Sequence, residues 1–217
     1  MTRVRSIYYL HGFASSPQST KAGFFADRLR SSGVAMICPD FNQPDFRTLT
    51  LTRMLDQLGA ALGRENGAST LMGSSLGGTL AILAAQRFAA RVDRLVLLAP
   101  AVMFAKPGHH LLPPERIDEW RHAGTLPFFH HAYDEERRLD YAFYLDSLSH
   151  HAFDATVTQP TLIFQGLRDQ SVDHRTVEAF AHARPSVTLS LLDDDHQLIA
   201  SLPRMWESIE PFLGLTE

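Results

Sequence analysis

The stretch Leu71-Met72-Gly73-Ser74-Ser75-Leu76-Gly77-Gly78 sets two serines among glycines. A serine hydroxyl is a poor nucleophile until a base takes its proton and donors hold the oxyanion that forms. Gly73-Ser74-Ser75-Leu76-Gly77 fits the G-x-S-x-G pattern with Ser75 at its centre, where a nucleophilic serine tops a sharp strand-to-helix turn. The glycines give clearance at that corner, and the Leu76 N–H falls at the start of the next helix, where an anion is favoured. By itself the stretch reads equally as a helix cap, because serine is a preferred N-cap residue. Ser74 sits one position early for the corner and suits packing or hydrogen bonding beside it.

Such a serine needs an acid and a base, which follow it in chain order on loops after later strands. Gln165-Gly166-Leu167-Arg168-Asp169-Gln170-Ser171-Val172-Asp173 follows one apolar run and offers Asp169 and Asp173. Asp173 fits better as the N-cap of a helix beginning near His174, which leaves Asp169 as the acid. Asp193-Asp194-Asp195-His196 follows a second run and offers His196 as the base, with three acids that read as solvated. The span from Asp169 to His196 holds one helix and one strand, the return needed to reach a neighbouring parallel strand. Near the N-terminus, Leu10-His11-Gly12-Phe13 ends another strand. There the Phe13 N–H is a candidate second oxyanion donor beside that of Leu76, and His11 reads as an anchor for the loop. Gly12, Phe13, Met103 and Phe104 are the candidate substrate contacts, with Phe128 and Phe129 folding over Ser75.

The elements that must position these groups alternate. Residues 6–10, 34–38, 69–72, 94–99, 161–164 and 187–192 read as strands. Residues 19–32, 45–62, 77–90, 174–183 and 201–212 read as helices by apolar spacing and by their stop signals. This alternation predicts a mostly parallel sheet of about six strands with helices on both faces. Arg94-Leu95-Val96-Leu97-Leu98-Ala99, apolar almost throughout, suits a strand buried on both sides. Residues 100–159 break the rhythm. They show no good strand, and they carry helix-like pieces at about 114–123 and 134–149, with Leu139, Phe143, Leu145 and Leu148 as apolar anchors. The expectation is one domain over residues 1–217, with a helical insertion at about 101–158 lying over one end of the sheet.

Composition agrees with a globular α/β chain: 45% hydrophobic and 20% charged residues, with a net charge of -4. No Lys/Arg run argues for nucleic acid, and mixed clusters such as Asp134-Glu135-Glu136-Arg137-Arg138 read as solvated helix faces. Cys38, the single cysteine, excludes an internal disulfide and reads as a buried structural thiol. The N-terminus, with Arg3 and Arg5, has too short an apolar stretch for a signal peptide, and no run has the length of a membrane span, so a cytoplasmic protein is expected. Of the 11 histidines, His109, His110, His122, His130, His131, His150 and His151 fall in the insertion. Adjacent histidines diverge on a helix or strand and no metal-binding spacing is present, so neither a metal nor a cofactor is expected.

Residues 8–22 (YYLHGFASSPQSTKA), 73–78 (GSSLGG), the GLRD loop at 166–169 and His196 resemble the α/β-hydrolase superfamily over essentially the whole chain, and within it small bacterial YqiA-like esterases. The resemblance implies an α/β-hydrolase fold without the two leading antiparallel strands of larger members. It also implies a Ser–Asp–His triad of Ser75, Asp169 and His196, no cofactor, and hydrolysis of an ester or related acyl bond of a small-molecule substrate. The insertion would then be a cap that shapes the acyl pocket. A thioesterase or an acyltransferase would use the same triad, and a binding protein could keep the fold without turnover.

Overall fold

The computed structural model describes residues 6–109 and 111–215; Arg3, Arg5 and His110 lie outside the described residues. Six parallel strands form the central sheet: β1 (Ile7–Leu10), β2 (Met36–Ile37), β3 (Ser69–Ser74), β4 (Val92–Leu98), and, in the last third of the chain, Thr161–Gly166 and Val187–Leu192. A further pair, β5 (Thr125–His130) and β6 (Glu135–Asp140), makes a separate antiparallel hairpin, so Thr161–Gly166 is β7 and Val187–Leu192 is β8. The sheet order is β2-β1-β3-β4-β7-β8. β3 lies between β1 and β4, with Leu10 paired to Gly73 and Ser74 to Leu98. The chain reverses its direction of travel across the sheet after β2, between β1 and β3, and the carboxyl ends of β1, β3, β7 and β8 open on one edge. That edge is where parallel sheets place ligands.

Two cores clamp the sheet. On one face, Phe25 and Leu29 of α1 (Thr20–Ser31) and Met205 and Ile209 of α7 (Leu202–Leu213) pack on Tyr9, Met72, Val96 and Phe164. On the other, Leu55 and Leu58 of α2 (Leu51–Leu62) and Leu80 of α3 (Leu76–Arg87) pack on Leu10, Leu71, Leu95 and Ile163. Phe180 of α6 (His174–His182) joins this second core. Residues at i and i+2 of each strand thus enter opposite cores from their neighbours, which is why β3, β4 and β7 are apolar almost without interruption. Among the described residues no helix is long and apolar enough to cross a membrane.

Some expectations need correction. The helix expected over residues 45–62 is a 3-10 turn, Phe46–Thr48, followed by α2. Asp45 accepts from the Arg47 N–H at 3.0 Å and Thr50 from the Arg53 N–H at 3.0 Å, so two cap residues in sequence start two separate elements. The strand expected at 34–38 is only Met36–Ile37, an edge strand.

The larger correction lies in the insertion. α4 (Pro114–Ala123) forms as expected and ends at Gly124, whose φ of 73° is a left-handed cap. The helix expected over 134–149 does not form. Its first part is β6, and only Ala142–Leu148 is helical, as α5. Within β5, Leu126, Phe128 and His130 point one way by the period-two rule, while Phe129 is 49% exposed. The cluster Asp134-Glu135-Glu136-Arg137-Arg138 is therefore a turn and strand with charges facing solvent, not a helix face. Tyr133 lies under the Arg137 guanidinium, 4.0 Å from ring centroid to Cζ, and steadies that turn. Leu139 and Phe143 are buried as expected, but Leu145 and Leu148 are exposed. Trp120 of α4 holds hairpin and helices together: it is fully buried and donates its indole N–H to the Leu139 carbonyl at 2.9 Å.

Candidate active site

The corner between β3 and α3 carries Ser75 at φ 53° and ψ −115°, a left-handed conformation that costs a non-glycine residue on the order of 1–3 kcal/mol. The surroundings enforce it. The Ser75 N–H donates to the Leu98 carbonyl on β4 at 2.9 Å, and the Ser75 carbonyl accepts from the Gly78 N–H at 2.9 Å and the Thr79 N–H at 3.1 Å. A Cβ on Gly77 would overlap the Leu10 carbonyl oxygen, and one on Gly73 would overlap the Gly77 carbonyl. Backbone from β1, β3 and α3 meets here too closely for any side chain. The Ser75 hydroxyl makes no capping bond to its own helix, so the helix-cap reading does not hold. Ser74 is buried beside the corner.

The Ser75 Oγ lies 3.0 Å from His196 Nε2, and His196 Nδ1 lies 2.8 Å from Asp169 Oδ2. Asp169 has a fully buried side chain whose Oδ1 accepts from the Ser171 and Val172 amides, each at 2.8 Å. Burial pushes its carboxyl up, but the bonds from His196, the Val172 amide and Gln165 together hold it below the usual carboxylate range. An ionised Asp169 can only accept, so His196 Nδ1 carries a hydrogen and Nε2 is free to accept from Ser75. Asp173 instead caps α6 by accepting from the Arg175 N–H at 3.0 Å.

The loops reach these positions through groups not singled out in the sequence. Gln165, fully buried at the end of β7, donates from Nε2 to Asp169 Oδ2 at 2.9 Å. Its only sequence signal is an amide at the end of an apolar strand. The three acids before His196 are not all solvated. Asp194 is buried and accepts from the Asp195 N–H at 2.8 Å and the Ser201 N–H at 2.9 Å. Its carbonyl accepts from the Arg168 N–H at 3.0 Å, tying the acid loop to the base loop. Asp193 and Asp195 are exposed as expected, and Asp193 pairs with Arg168 at 3.0 Å.

Gly12 passes against the corner: a Cβ there would sit 3.3 Å from the Ser74 carbonyl oxygen and 3.5 Å from Ser75 Cβ. Phe13 follows it, and Leu76 is the first residue of α3, whose N–H has no partner within the helix. His11 is an anchor. Its Nε2 accepts from the Phe41 N–H at 3.1 Å, which leaves Nδ1 to donate to the Gly12 carbonyl at 3.0 Å. The Phe13 ring is packed by Phe46, Phe128 and Phe143, with centroids 5.5–5.7 Å away.

Two cavities meet at Ser75. One, of about 340 Å³, is walled by Phe13, Leu76, Met103, Phe104 and Val172. The other, of about 690 Å³, contains Gly12 and His196 in its wall and is lined chiefly by hydroxyl and amide side chains. Of the aromatics expected over Ser75, Phe128 reaches Phe13, and Phe129 turns outward. Cys38 is half-buried rather than buried, and burial pushes its thiol up to about 12. Among the described residues no three His, Cys, Asp or Glu side chains gather into a group that could hold a metal ion.

Comparison with solved structures finds the same architecture repeatedly. A candidate hydrolase from Agrobacterium vitis S4 superposes with a TM-score of 0.84 at 26% identity, covering 96% of this chain and 88% of that one. Est1E from Butyrivibrio proteoclasticus, solved with ferulic acid bound, gives 0.81 at 21% identity, covering 96% and 88%. A monoacylglycerol lipase from Paleococcus ferrophilus gives 0.80 at 13% identity, covering 97% and 95%, and these last two likenesses speak to fold alone. Comparison with curated proteins returns no match. The family model described as Uncharacterised protein family (UPF0227) matches residues 6–213. With that match over nearly its whole length and a sheet shared with α/β-hydrolases, the chain belongs to the UPF0227 family.

Proposed function

We propose that the protein is a serine hydrolase that cleaves the ester bond of a small acyl substrate through Ser75, His196 and Asp169. The observation that carries this reading is the unbroken relay from Ser75 Oγ through His196 to the buried Asp169 carboxylate, at 3.0 and 2.8 Å. His196 Nε2 takes the Ser75 proton as Oγ attacks the ester carbonyl. Asp169 stays ionised and stabilises the imidazolium through Nδ1–H. The Phe13 and Leu76 N–H groups hold the oxyanion, each worth about 2.7–4 kcal/mol of transition-state stabilisation. The tetrahedral adduct collapses as His196 passes its proton to the leaving oxygen, and the alcohol departs. Water then attacks the acyl-enzyme with His196 as base and releases the acid, so ester and water give acid and alcohol.

His196 must reach the leaving oxygen, so the leaving group lies in the larger cavity, which His196 lines, and the acyl group enters the smaller one with Met103 and Phe104. In this reading residues 101–158 act as a cap within a single 1–217 domain. The 26% identical Agrobacterium vitis relative, described as a candidate hydrolase, supports the class of reaction. A single half-buried thiol suits a reducing cytoplasm.

A chain-length series of p-nitrophenyl esters and matched acyl thioesters tests the proposal. The wild type is expected to turn over short esters, and Ser75→Ala to lose at least about a thousandfold in kcat. Ser74→Ala should keep most activity. Equal rates for wild type and Ser75→Ala would overturn the assignment, and turnover of thioesters alone would shift the substrate class.

A further inference from the structure

Lys21 is 8% exposed, yet it lies in the wall of the larger cavity with Ser75 and His196. It belongs to the Ser19-Thr20-Lys21-Ala22 turn that opens α1, part of a sequence stretch to which the mechanism above assigns only Gly12 and Phe13. Its Nζ donates once among the described residues, to the Gln197 carbonyl at 2.9 Å, although an ammonium carries three donors. Among the described residues no carboxylate comes within 4.0 Å of it. The nearest acids are already engaged. Asp195 Oδ1 accepts from the Gln197 N–H, both Asp194 oxygens accept backbone N–H groups, and Asp169 is held by His196 and Gln165.

A buried cation without an ion-pair partner is costly unless a counter-charge arrives. Burial brings the Lys21 ammonium down to about 8 against the pull of Asp195, Asp169 and Asp194, so at neutral pH it is still mostly charged. Thr20 and Lys21 are the first two residues of the twelve-residue α1, whose free N–H groups and dipole favour an anion at the same place. Ser15, Ser16 and Gln18 add hydroxyl and amide groups to this wall, whereas the acyl side sets Leu76, Met103, Phe104 and Val172 beside Gln170 and Thr176.

We propose that the larger cavity is an anion-accepting subsite in which Lys21 binds a carboxylate or phosphate carried by the leaving alcohol of the substrate. The assignment of this cavity to the leaving group rests on the serine-hydrolase reading. The preferred substrates are thus esters of acidic alcohols, and a neutral alcohol of the same shape gives the remaining Lys21 donors no charged acceptor.

Matched butanoyl esters test this: para-(butanoyloxy)benzoate, its methyl ester, and the butanoyl ester of para-hydroxyphenyl phosphate. The readout is the ratio of kcat/KM for each anionic ester to that of the neutral one. Wild type should favour the anions. Lys21→Met should lower the ratio about tenfold or more, and Lys21→Arg should keep it within about threefold. The two anionic arms tell carboxylate from phosphate. A ratio unchanged in Lys21→Met, with all rates falling together, would overturn the proposal and leave Lys21 as a clamp on the Gln197 carbonyl. Calorimetry with Ser75→Ala gives a readout free of turnover, comparing para-hydroxybenzoate with its methyl ester. Equal affinities would overturn the subsite even if Lys21→Met does not fold. Tighter binding of the anion with no hydrolysis of any ester would support the subsite and count against the hydrolase reading.

Discussion

Gln165 Nε2 donates to Asp169 Oδ2 at 2.9 Å, to the same oxygen that accepts from His196 Nδ1 at 2.8 Å. The buried amide therefore fixes the carboxylate plane against the imidazole, while the Ser171 and Val172 amides hold the other oxygen. Replacing Gln165 by Leu keeps the volume and removes the donor. A hydrogen bond to a charged group is worth about 1.5–3 kcal/mol, so kcat should fall roughly ten- to a hundredfold with KM little changed. Steady-state kinetics on a folded Gln165→Leu variant check this, and unchanged kcat would show that the two amides suffice.

Asp169 and Asp173 separate into different jobs. Asp169→Asn should reduce kcat by about 10³–10⁴-fold, because the amide no longer selects the tautomer that leaves Nε2 free. Asp173→Ala should keep the activity and lose about 1 kcal/mol of stability through the lost α6 cap. Urea melts and kinetics on both variants decide it, and the reverse pattern would move the acid to Asp173.

The corner itself can be tested against a neutral site. A Cβ at Gly77 has no room against the Leu10 carbonyl, so Gly77→Ala should fail to accumulate as folded protein. At Gly23, exposed in the first turn of α1, a Cβ would meet nothing within 4 Å, so Gly23→Ala should stabilise by roughly 0.5–1 kcal/mol. Thermal melts of the soluble fractions report both outcomes.

His130 gives the fold a pH response. It is fully buried and bonds Asn42 Oδ1 through Nε2 at 3.1 Å, and its Nδ1 has no partner among the described residues. Burial first, then the charges of Arg137 and His11, bring its pKa down to about 4. The unfolded chain takes up this proton near pH 6.5, so the stability is whole above that value. It drains away as pH falls from about 6.5 to 4, by about 3 kcal/mol in all. Urea unfolding at pH 7.5, 5.5 and 4.5 should show this decline, and His130→Gln should flatten it. His11, also lowered chiefly by burial, retains its own share in that variant.

The parts of the site that form a local pattern were legible in the sequence. The glycines around Ser75, the strand before it and the helix after it are contiguous, and Asp169 and His196 follow the buried β7 and the alternating β8. The hairpin of the insertion was not legible. Pro127 breaks a strand pattern, and Glu135-Glu136-Arg137-Arg138 carries the charge spacing of a solvated helix. β6 is a strand because Leu139 packs inward and the Trp120 indole takes its carbonyl, which is a tertiary contact. Gln165, Asp194 and Lys21 were missed for a similar reason. Gln165 and Asp194 act through loop turns that no residue spacing announces, and Lys21 acts on the carbonyl of Gln197 far along the chain.

The most direct measurement of the central claim is covalent labelling. Protein treated with a fluorophosphonate should gain one phosphonyl group, and peptide mass spectrometry should place it on Ser75 rather than Ser74. Labelling should vanish in Ser75→Ala and slow strongly in a His196→Ala variant. An unlabelled wild type, or an adduct that persists in Ser75→Ala, would contradict the account.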